Sequence, residues 1–430
     1  MKKHQLIAGA VGLALALSLS ACGGGDKPST STGDKITVLL PAHEMDNIGF
    51  NEQATRDFTA ETGIEVELIY MGWDNVADRV IADLTAGGGS YDVIEFDNAW
   101  VAKFYENDWL EPLDSYISEE MRSGLLQGLL ETFSSDGKLY GIPWNNDTRF
   151  FMYNAAILQA SGFSKPPETW EQLEEMSLKL KADGLPYGYM DAYPALQSGA
   201  NEVTAMVYSF GGELFDADGQ PVMGTDPKTK AAFEFMVKSL NDTKIADPAS
   251  LTADYETVEN VFISGDTAFF IQAWPGVFQS ANDPTLSLIV DQIAVADVAL
   301  HANGAEQVVL TLPEAMAIPK TSKNKAAAWQ YIEYMSGRDL DKERALAIGS
   351  LPLWQDLYTD TDLTTKYPYW ANFSGQIAHA RALPSLTYYD EYANILMEEA
   401  HMMFAKTKTV EKGLADLQER CEALAGKYTN

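Results

Sequence analysis

The residues with the clearest capacity for chemistry lie in Gly137–Asn154, a segment with the sequence GKLYGIPWNNDTRFFMYN. Trp144 at its centre is followed by five side chains, 145–149, that donate or accept hydrogen bonds. A tryptophan face covers apolar C–H groups of a ligand, and an ionised carboxylate such as Asp147 accepts several hydrogen bonds, the charge-assisted ones being strongest. These residue types suit the binding of a molecule rich in hydroxyl groups. An ordinary polar surface turn is the alternative for the same run.

Two predicted strands flank this polar run. Leu139–Ile142 is a short apolar stretch bounded by Gly137 and Pro143, and Phe150–Tyr153 is a second one. Asn, Asp and Thr at this density compete with the backbone for hydrogen bonds, so they favour a turn or a crossing over a continued ladder. We therefore predict that the chain passes here from one lobe to another, with residues 144–149 facing the cleft between the lobes.

The N-terminal part of the chain alternates predicted strands and helices. The order is strand Lys35–Leu40, helix Asn51–Thr62, strand Ile64–Tyr70, a helix that Asp74 can cap, and strand Tyr91–Phe96. This order is typical of a parallel sheet with right-handed crossovers. The sequence therefore predicts an α/β fold.

Polar and aromatic side chains follow several of these strands. Residues 43–44 come after the first strand, Asp97–Trp100 after the third, and Trp274 just after the later apolar strand Ala268–Gln272. In open parallel sheets, ligands bind beyond the carboxyl ends of the strands. We expect these side chains to share that edge, although solvated turns are the alternative for each segment taken alone.

Composition limits the classes of function. The chain has 430 residues, enough for two or three folding units, and a formal net charge of −32. So acidic a protein is repelled by phosphate backbones, which argues against nucleic-acid binding. Its two cysteines, Cys22 and Cys421, give no internal disulfide framework. Its five histidines form no clustered ligand set, and phosphate-loop, HExxH and GxSxG motifs are missing, so we predict no metal, no cofactor and no catalytic residues.

The first residues read as a targeting segment. Two lysines open the chain, residues 6–19 are apolar, and the run Leu19–Cys22 (LSAC) closes the segment. This resembles the bacterial lipoprotein signal, which implies a signal peptide at 1–21, a lipid on Cys22 that anchors the protein to the cell membrane, and a flexible tether at 22–34. A plain secretory signal with an incidental cysteine is the alternative.

Five motifs in order resemble one family. They are FDNAW (Phe96–Trp100), GKLYGIPWNNDTRF (Gly137–Phe150), GGELFDADG (Gly211–Gly219), QAWP (Gln272–Pro275) and AIPKTSKNKAAAWQYI (Ala317–Ile332). Together they are similar to the carbohydrate-type extracellular solute-binding proteins of ATP-binding-cassette (ABC) importers, the maltose/trehalose-binding group. The resemblance implies a type II periplasmic-binding-protein fold that closes on a carbohydrate and docks, as a monomer, on membrane permease subunits.

The resemblance also implies lobe boundaries and site residues. Lobe 1 would comprise 35–146 plus 293–349, and lobe 2 would comprise 147–292 plus 350–430. The expected ligand-binding residues are the carboxylates Glu44, Asp97 and Asp147, the polar neighbour Asn98, the aromatics Trp144, Tyr193, Trp274 and Tyr389, and Arg381.

One departure from the family pattern concerns Glu314. Many relatives carry a Gly-Gly-Trp-Gly-type run before AIPK, whereas this chain has Thr311–Met316 (TLPEAM), with Glu314 near the position of that tryptophan. We hypothesise that Glu314 adds an acid to the pocket and favours a ligand with an amine or many hydroxyls. The alternative is that Glu314 faces solvent, as charged residues usually do.

Two other functions fit the same residues. A lipid-anchored glycoside hydrolase also needs carboxylates in a cleft, and Glu44, Asp97 and Asp147 are the candidates for an acid and nucleophile pair. The same fold could also bind a different solute, such as a peptide, a polyamine or a metal. Cleavage of oligosaccharides would distinguish the hydrolase from a binding protein.

Overall fold

The computed structural model describes residues 35–42 and 49–428. The predicted signal peptide, the tether and the predicted lipid site Cys22 lie outside the described residues, and so does the predicted binding residue Glu44. Within the described part of the chain, no helix combines the length and the apolar character needed to cross a membrane.

The strands fall into two main sheets and two small ribbons. In chain order they are β1 (Lys35–Pro41), β2 (Glu65–Met71), β3 (Val93–Asp97), β4 (Ser134–Ser135), β5 (Lys138–Leu139), β6 (Ile142–Asn145), β7 (Phe150–Asn154), β8 (Phe269–Ala273), β9 (Ile293–Val295), β10 (Val309–Thr311), β11 (Glu314–Ala317) and β12 (Ala380–Ala382).

The α-helices cover these sheets. In chain order they are α1 (Phe50–Thr62), α2 (Trp73–Thr85), α3 (Val101–Glu106), α4 (Glu119–Gly124), α5 (Gln127–Thr132), α6 (Ala155–Ala160), α7 (Trp170–Ala182), α8 (Gln197–Ser209), α9 (Pro227–Asn241), α10 (Tyr255–Ile263), α11 (Pro275–Asn282), α12 (Lys325–Met335), α13 (Arg338–Ile348), α14 (Thr361–Lys366), α15 (Trp370–Ile377), α16 (Tyr389–Phe404) and α17 (Val410–Tyr428). Short 3-10 helices form at Asn98–Trp100, Pro248–Leu251 and Gln355–Thr359.

The first lobe is built on a five-stranded sheet with the order β2-β1-β3-β11-β6. β1 pairs in parallel with β2 and β3, whereas β11 runs antiparallel to β3 and β6. The strands at the centre are almost entirely buried and mostly apolar, as expected for a sheet that helices cover on both faces, with acids at Glu95, Asp97 and Glu314. The predicted parallel sheet of the N-terminal region is therefore confirmed.

The second lobe is built on the antiparallel sheet β8-β7-β9. β6 ends at Asn145 in the first sheet, and β7 begins at Phe150 in the second. Residues 146–149 therefore carry the chain from the first sheet to the second, at the polar run where a crossing between lobes is predicted.

The return to the first lobe occurs later than expected. β9 (Ile293–Val295) pairs with β7, and β10 pairs with β12, so both belong to the second lobe. The chain rejoins the first sheet only at β11, which starts at Glu314. The resemblance implies a lobe boundary at 293, and the structure places β9 in the sheet with β7 and β8.

The last passage between the lobes is also displaced from Gly349. Trp354 donates its indole N–H to the carbonyl of Ser336 at 2.9 Å and packs on Gly124, where an added Cβ would lie 2.2 Å from its ring. These partners belong to the first lobe, whereas Gln376 in α15 accepts a hydrogen bond from the backbone N–H of Phe151 in β7. The resemblance implies a lobe boundary at 349, and these contacts associate the segment around Trp354 with the first lobe.

Side-chain caps begin many of the helices. Thr169 accepts a hydrogen bond from the backbone N–H of Gln172 at the start of α7, and Asp254 accepts one from Thr257 at the start of α10. Asp74 was expected to cap α2, but that helix starts after Gly72 without a side-chain cap. The carboxylate of Asp74 reaches the other lobe instead.

Candidate ligand-binding cleft

A cleft of about 440 Å³ is lined by residues of both lobes, and its volume is typical of small-molecule sites. The passages that join the lobes form its floor, because Asp147 and Leu312 line it. The first lobe contributes Ala42, Gly72, Trp73, Asp74, Asn75, Asn145, Glu314, Ile348 and Ser350, and the second contributes Arg149, Leu196, Asp254, Tyr255, Glu256, Glu259, Trp274, Pro275 and Gly276.

Glu314 forms the acidic wall on the side of the first lobe. It starts β11, and the sheet register places it opposite Asp97 on β3 and Asn145 on β6. Its Oε1 accepts a hydrogen bond from Trp73 Nε1 at 2.8 Å, and its Oε2 accepts one from Asn145 Nδ2 at 2.9 Å. Only 3% of Glu314 is exposed, so the side chain faces the cleft wall rather than bulk solvent.

Asp97 lies next to that wall and does not line the cleft. Its Oδ1 accepts a hydrogen bond from the backbone N–H of Ala99 at 2.7 Å, which caps the short helix Asn98–Trp100. Burial raises the pKa of Asp97 well above its usual value, and the nearby charges of Glu314 and Asp147 raise it further. Its capping bond and its burial give Asp97 a structural role in addition to its charge.

Arg149 is the cation of the cleft wall. Its Nη2 lies 3.0 Å from Asp147 Oδ2, and its Nη1 donates to the carbonyl of Gln272 at 3.2 Å. Its guanidinium carbon lies 4.7 Å from the ring centre of Tyr255 and 5.2 Å from that of Trp274. Burial opposes its charge, but the surrounding anions outweigh burial and raise the pKa of Arg149.

Buried acids lie behind this arginine in the second lobe. Glu202 Oε1 is 3.7 Å from Arg149 Nη1, and 1% of Glu202 is exposed. Burial raises the pKa of Glu202 well above its usual value and raises the pKa of Asp191 to about 6. This set holds the guanidinium in place from the side that faces away from the cleft.

Aromatic rings from both lobes complete the cleft. Trp274 sits directly after β8, at the start of α11, and its ring centre lies 5.6 Å from that of Tyr255. Tyr255 in turn meets Trp73 of the first lobe, with ring centres 6.2 Å apart and planes at 69°. These edge-to-face contacts fix the rings while parts of Trp73 and Trp274 stay accessible.

The two lobes also touch directly. Asp74 Oδ1 accepts the backbone N–H of Ser198 at 3.1 Å, and Asp74 Oδ2 accepts the Ser198 hydroxyl at 2.9 Å. Burial is the main cause that raises the pKa of Asp74. Lys103 of the first lobe lies 2.7 Å from Asp390 of the second. The structure therefore shows the lobes in a closed arrangement.

Three of the predicted binding residues meet in this cleft, namely Asp147, Trp274 and Glu314. Trp144 does not, because it is buried in the first lobe with its indole N–H donated to Glu95 Oε2 at 2.8 Å. Side chains alternate between the faces of a strand, so the neighbouring Asn145 reaches the cleft and Trp144 reaches the core.

The other predicted residues lie away from the cleft wall. Tyr193 is buried against Phe404, with ring centres 5.5 Å apart, and Tyr389 donates its hydroxyl to Asn201 Oδ1 at 3.0 Å. These two tyrosines belong to the core of the second lobe.

Polar partners keep the last two candidates elsewhere. Arg381 on β12 pairs with Glu213 and stacks on Tyr208 at 3.7 Å, so its guanidinium is engaged within the second lobe. Asn98 donates to the carbonyl of Pro313 at 3.4 Å, beside the passage between the lobes.

Trp73 and Tyr255 are aromatic residues of the cleft that the sequence interpretation did not select. Trp73 follows β2 directly, in the same position relative to its strand as the segments that were selected after β1 and β3. Selecting the residues that follow β2, as for β1 and β3, would have identified Trp73. Tyr255 opens α10 after a long loop, and no local pattern marks it as a cleft residue.

Comparisons with known proteins agree with this architecture. The sequence profile of the bacterial extracellular solute-binding protein family matches residues 46–340. A probable amino-acid ABC transporter periplasmic-binding protein of Sinorhizobium fredii is 28% identical over 413 residues, which cover 92% of this chain and 90% of the relative.

Solved structures match the whole described fold. Maltose-bound MalE3 of T. maritima superposes with a TM-score of 0.85 at 23% identity, over 91% of this chain and 100% of that one. A solute-binding protein of Agrobacterium radiobacter in complex with ribitol superposes with a TM-score of 0.82 at 20% identity, over 91% and 99% of the two chains. These superpositions confirm the predicted two-lobed α/β fold.

Proposed function

The chain belongs to the bacterial extracellular solute-binding protein family, and from that premise we propose that its cleft captures a carbohydrate or related polyol for an ABC importer. Family membership confirms the prediction of a binding protein over that of a glycoside hydrolase. The carbohydrate ligand and its delivery to permease subunits are the further steps of this proposal.

One observation carries the proposal: aromatic faces and hydrogen-bonding groups meet in a single cleft between the lobes. Trp73 and Trp274 supply flat apolar surfaces, while Asp147, Glu314 and Asn145 supply acceptors and an amide. A sugar ring presents apolar C–H groups on its faces and hydroxyls around its edge, so it matches both kinds of surface. A buried hydroxyl needs such partners because an unpaired polar group is costly to bury.

The relatives favour the same ligand class without deciding it. The two superposed structures hold maltose and ribitol, both polyhydroxylated molecules. The Sinorhizobium fredii relative is named as a probable amino-acid binding protein, so an amino acid is the second candidate ligand. The family alone does not separate these two classes.

Ligand-induced thermal shifts would test the proposal. The purified protein is heated with maltose, ribitol, mannitol and glucose, and in parallel with a set of amino acids. A ligand that binds only the folded form raises Tm, and a concentration of 100 times Kd contributes about 2.7 kcal/mol. We expect at least one sugar or polyol to raise Tm. A shift with amino acids alone would contradict the proposal.

We further propose that residues 1–21 are removed and that Cys22 carries a lipid that anchors the protein outside the cytoplasm. The run LSAC at Leu19–Cys22 supports this step. Mass spectrometry of the N-terminal peptide from membrane fractions would test it, with Cys22→Ser as the matched control. An unmodified Cys22 in the membrane-derived protein would contradict the anchor.

We also propose that the protein acts as a monomer, because residues of one chain form both walls of the cleft. Light scattering at micromolar concentration would test this. A stable dimer whose dissociation abolishes ligand binding would contradict it.

A further inference from the structure

We propose that the cleft selects ligands that carry a cationic amino group on a polyhydroxylated frame, that is, amino sugars or amino polyols. This inference rests on the proposed function, because it specifies the ligand class of the same cleft. It follows from the balance of charge in the cleft wall, from the donors that orient Glu314 and from the acidic residue opposite Glu314 in the sheet.

The charge balance of the wall is strongly acidic. Among the described residues that line the cleft, one guanidinium, that of Arg149, faces six carboxylates. The carboxylates are those of Asp74, Asp147, Asp254, Glu256, Glu259 and Glu314. A cleft lined by one sign of charge focuses its field on the opposite sign and attracts a ligand that carries it.

Arg149 does not neutralise this wall. Its guanidinium is engaged with Asp147, with the carbonyl of Gln272 and with the faces of Tyr255 and Trp274. Glu202 Oε1 lies 3.7 Å from its Nη1 on the side away from the cleft. Asp147 and Glu314 of the wall are among the anions that stabilise this guanidinium, but one positive charge against six carboxylates still leaves the wall acidic.

Two neutral donors orient Glu314, which also interacts with the charge of Arg149. The hydrogen bonds that fix its two oxygens come from the Trp73 indole and the Asn145 amide, at 2.8 and 2.9 Å. These bonds orient the carboxylate without removing its charge, and a carboxylate has about four acceptor sites in all. An ammonium group placed against Glu314 would form charge-assisted hydrogen bonds, which are stronger than those from a hydroxyl.

The residue opposite Glu314 in the sheet is also acidic. Asp97 pairs with Glu314 across the β3–β11 register, and 1% of Asp97 is exposed. Asp97 does not line the cleft, and burial raises its pKa well above the usual value, so Glu314 is the carboxylate of this pair that meets the ligand. An ammonium group brings three donors and no acceptor, so it suits the carboxylate of Glu314 better than a hydroxyl, which brings one donor and two acceptors.

The aromatic side of the cleft is compatible with a cation. Trp73 and Tyr255 meet edge to face beside Glu314, and the negative face of an aromatic ring attracts cations. The remaining hydroxyls of the ligand can use the amide of Asn75, which also lines the cleft. The part of the cleft around Glu314 would then bind the amine, and the rest of the cleft would bind the hydroxyl groups.

Isothermal titration of the purified protein with matched pairs tests the inference. The pairs are D-glucosamine with D-glucose, and D-glucamine with D-sorbitol, with spermidine as a cation that lacks the polyol. Within each pair we expect the amine to bind at least about tenfold more tightly near pH 7, as one charge-assisted hydrogen bond allows. The preference should shrink at high salt, because salt screens charge.

The outcomes separate this inference from the proposed function. Neutral members that bind as tightly as the amines would overturn the inference and leave the carbohydrate proposal intact. Failure of every sugar and polyol, charged or neutral, would overturn both. Binding of spermidine without binding of any sugar would overturn the polyol part and so the stated ligand class.

A matched pair of variants assigns the preference to the wall. Glu314→Gln removes one negative charge from the wall. It should therefore lower the ratio of the affinity for the amine to the affinity for its neutral counterpart at least about threefold. Glu306→Gln, at an exposed position outside the cleft, should keep the preference of the parent protein. An unchanged preference in folded E314Q would overturn the assignment to Glu314, and the matched ligand pairs decide the question if that variant does not fold.

Discussion

Asp74 of the first lobe caps a helix of the second lobe, because its carboxylate accepts both the backbone N–H and the hydroxyl of Ser198 at the start of α8. Unpaired N–H groups at a helix start favour a negative partner. This contact exists only when the lobes approach each other. The closed arrangement therefore provides a hydrogen-bond acceptor for the start of α8.

Replacing Asp74 should weaken ligand binding without changing the cleft wall elsewhere. Loss of a helix cap costs about 1 kcal/mol, so Asp74→Ala should reduce affinity several-fold and populate more open molecules. Titration calorimetry with the best ligand and small-angle scattering would measure both effects. Asp78→Ala, at an exposed position on the same helix, is the control and should change neither. Equal affinities for the two variants would refute this role.

We expect Trp274 to contribute to ligand binding and Trp144 to contribute to stability. Trp274→Ala removes an aromatic wall of the cleft, so we expect affinity to fall at least about tenfold with little change in Tm. Trp144→Phe leaves the buried Glu95 without its indole donor, so we expect a loss of about 1–3 kcal/mol in the free energy of unfolding and unchanged affinity. The reverse pattern in calorimetry and urea unfolding would show that Trp144 faces the ligand.

The packing of Trp354 on Gly124 predicts a large effect from one methyl group. A Cβ at position 124 would lie 2.2 Å from the buried ring of Trp354, so Gly124→Ala should cost about 1–3 kcal/mol in urea unfolding. Gly128→Ala is the matched control: it meets no atom within 4 Å and lies within helix α5, where alanine is favoured. Similar stabilities of the two variants would argue against the placement of the segment around Trp354 on the first lobe.

Asp191 predicts a stability that depends on pH. Burial raises the pKa of Asp191 from the usual 3.8 to about 6. Between these values the unfolded chain releases a proton that the folded protein keeps, so the stability contributed by protonated Asp191 is present below pH 3.8 and lost as pH rises to about 6. Asp191→Asn does not ionise and avoids this loss.

The measurement compares the free energy of unfolding of both proteins near pH 4 and near pH 7. We expect Asp191→Asn to gain relative to the parent protein as pH rises. Asp218→Asn, at an exposed position, is the control and should show no such relative gain. A constant difference between the D191N variant and the parent protein at both pH values would rule out the raised pKa.

The sequence predicts the layout of the first lobe and the first crossing well. Alternating apolar runs and polar turns report local structure, and the density of Asn, Asp and Thr at 145–148 marks a break between sheets. The later passages are harder to place from the sequence because β9 and β10 are three residues each, and only their pairing with other strands decides where they belong.

Site residues were harder to predict than strands, since a residue type does not tell which face of a strand it occupies. Trp144 and Asn145 are adjacent, yet one reaches the core and the other the cleft. Arg381 and Tyr389 have the right chemistry, but Glu213 and Asn201, distant in sequence, hold them elsewhere. Glu314 was selected from a departure in a motif, and its register beside Asp97 explains its position in the wall.

The segment 146–149 is one of the passages that join the lobes, and two of the groups that line the cleft, Asp147 and Arg149, belong to it. We expect a solute that contacts them to act on the backbone torsions of this passage. If the lobes rotate about it, a small rotation there would produce a larger displacement at the distant rims of the lobes. A transmembrane partner that gauges the separation of those rims would thereby read the loading state directly.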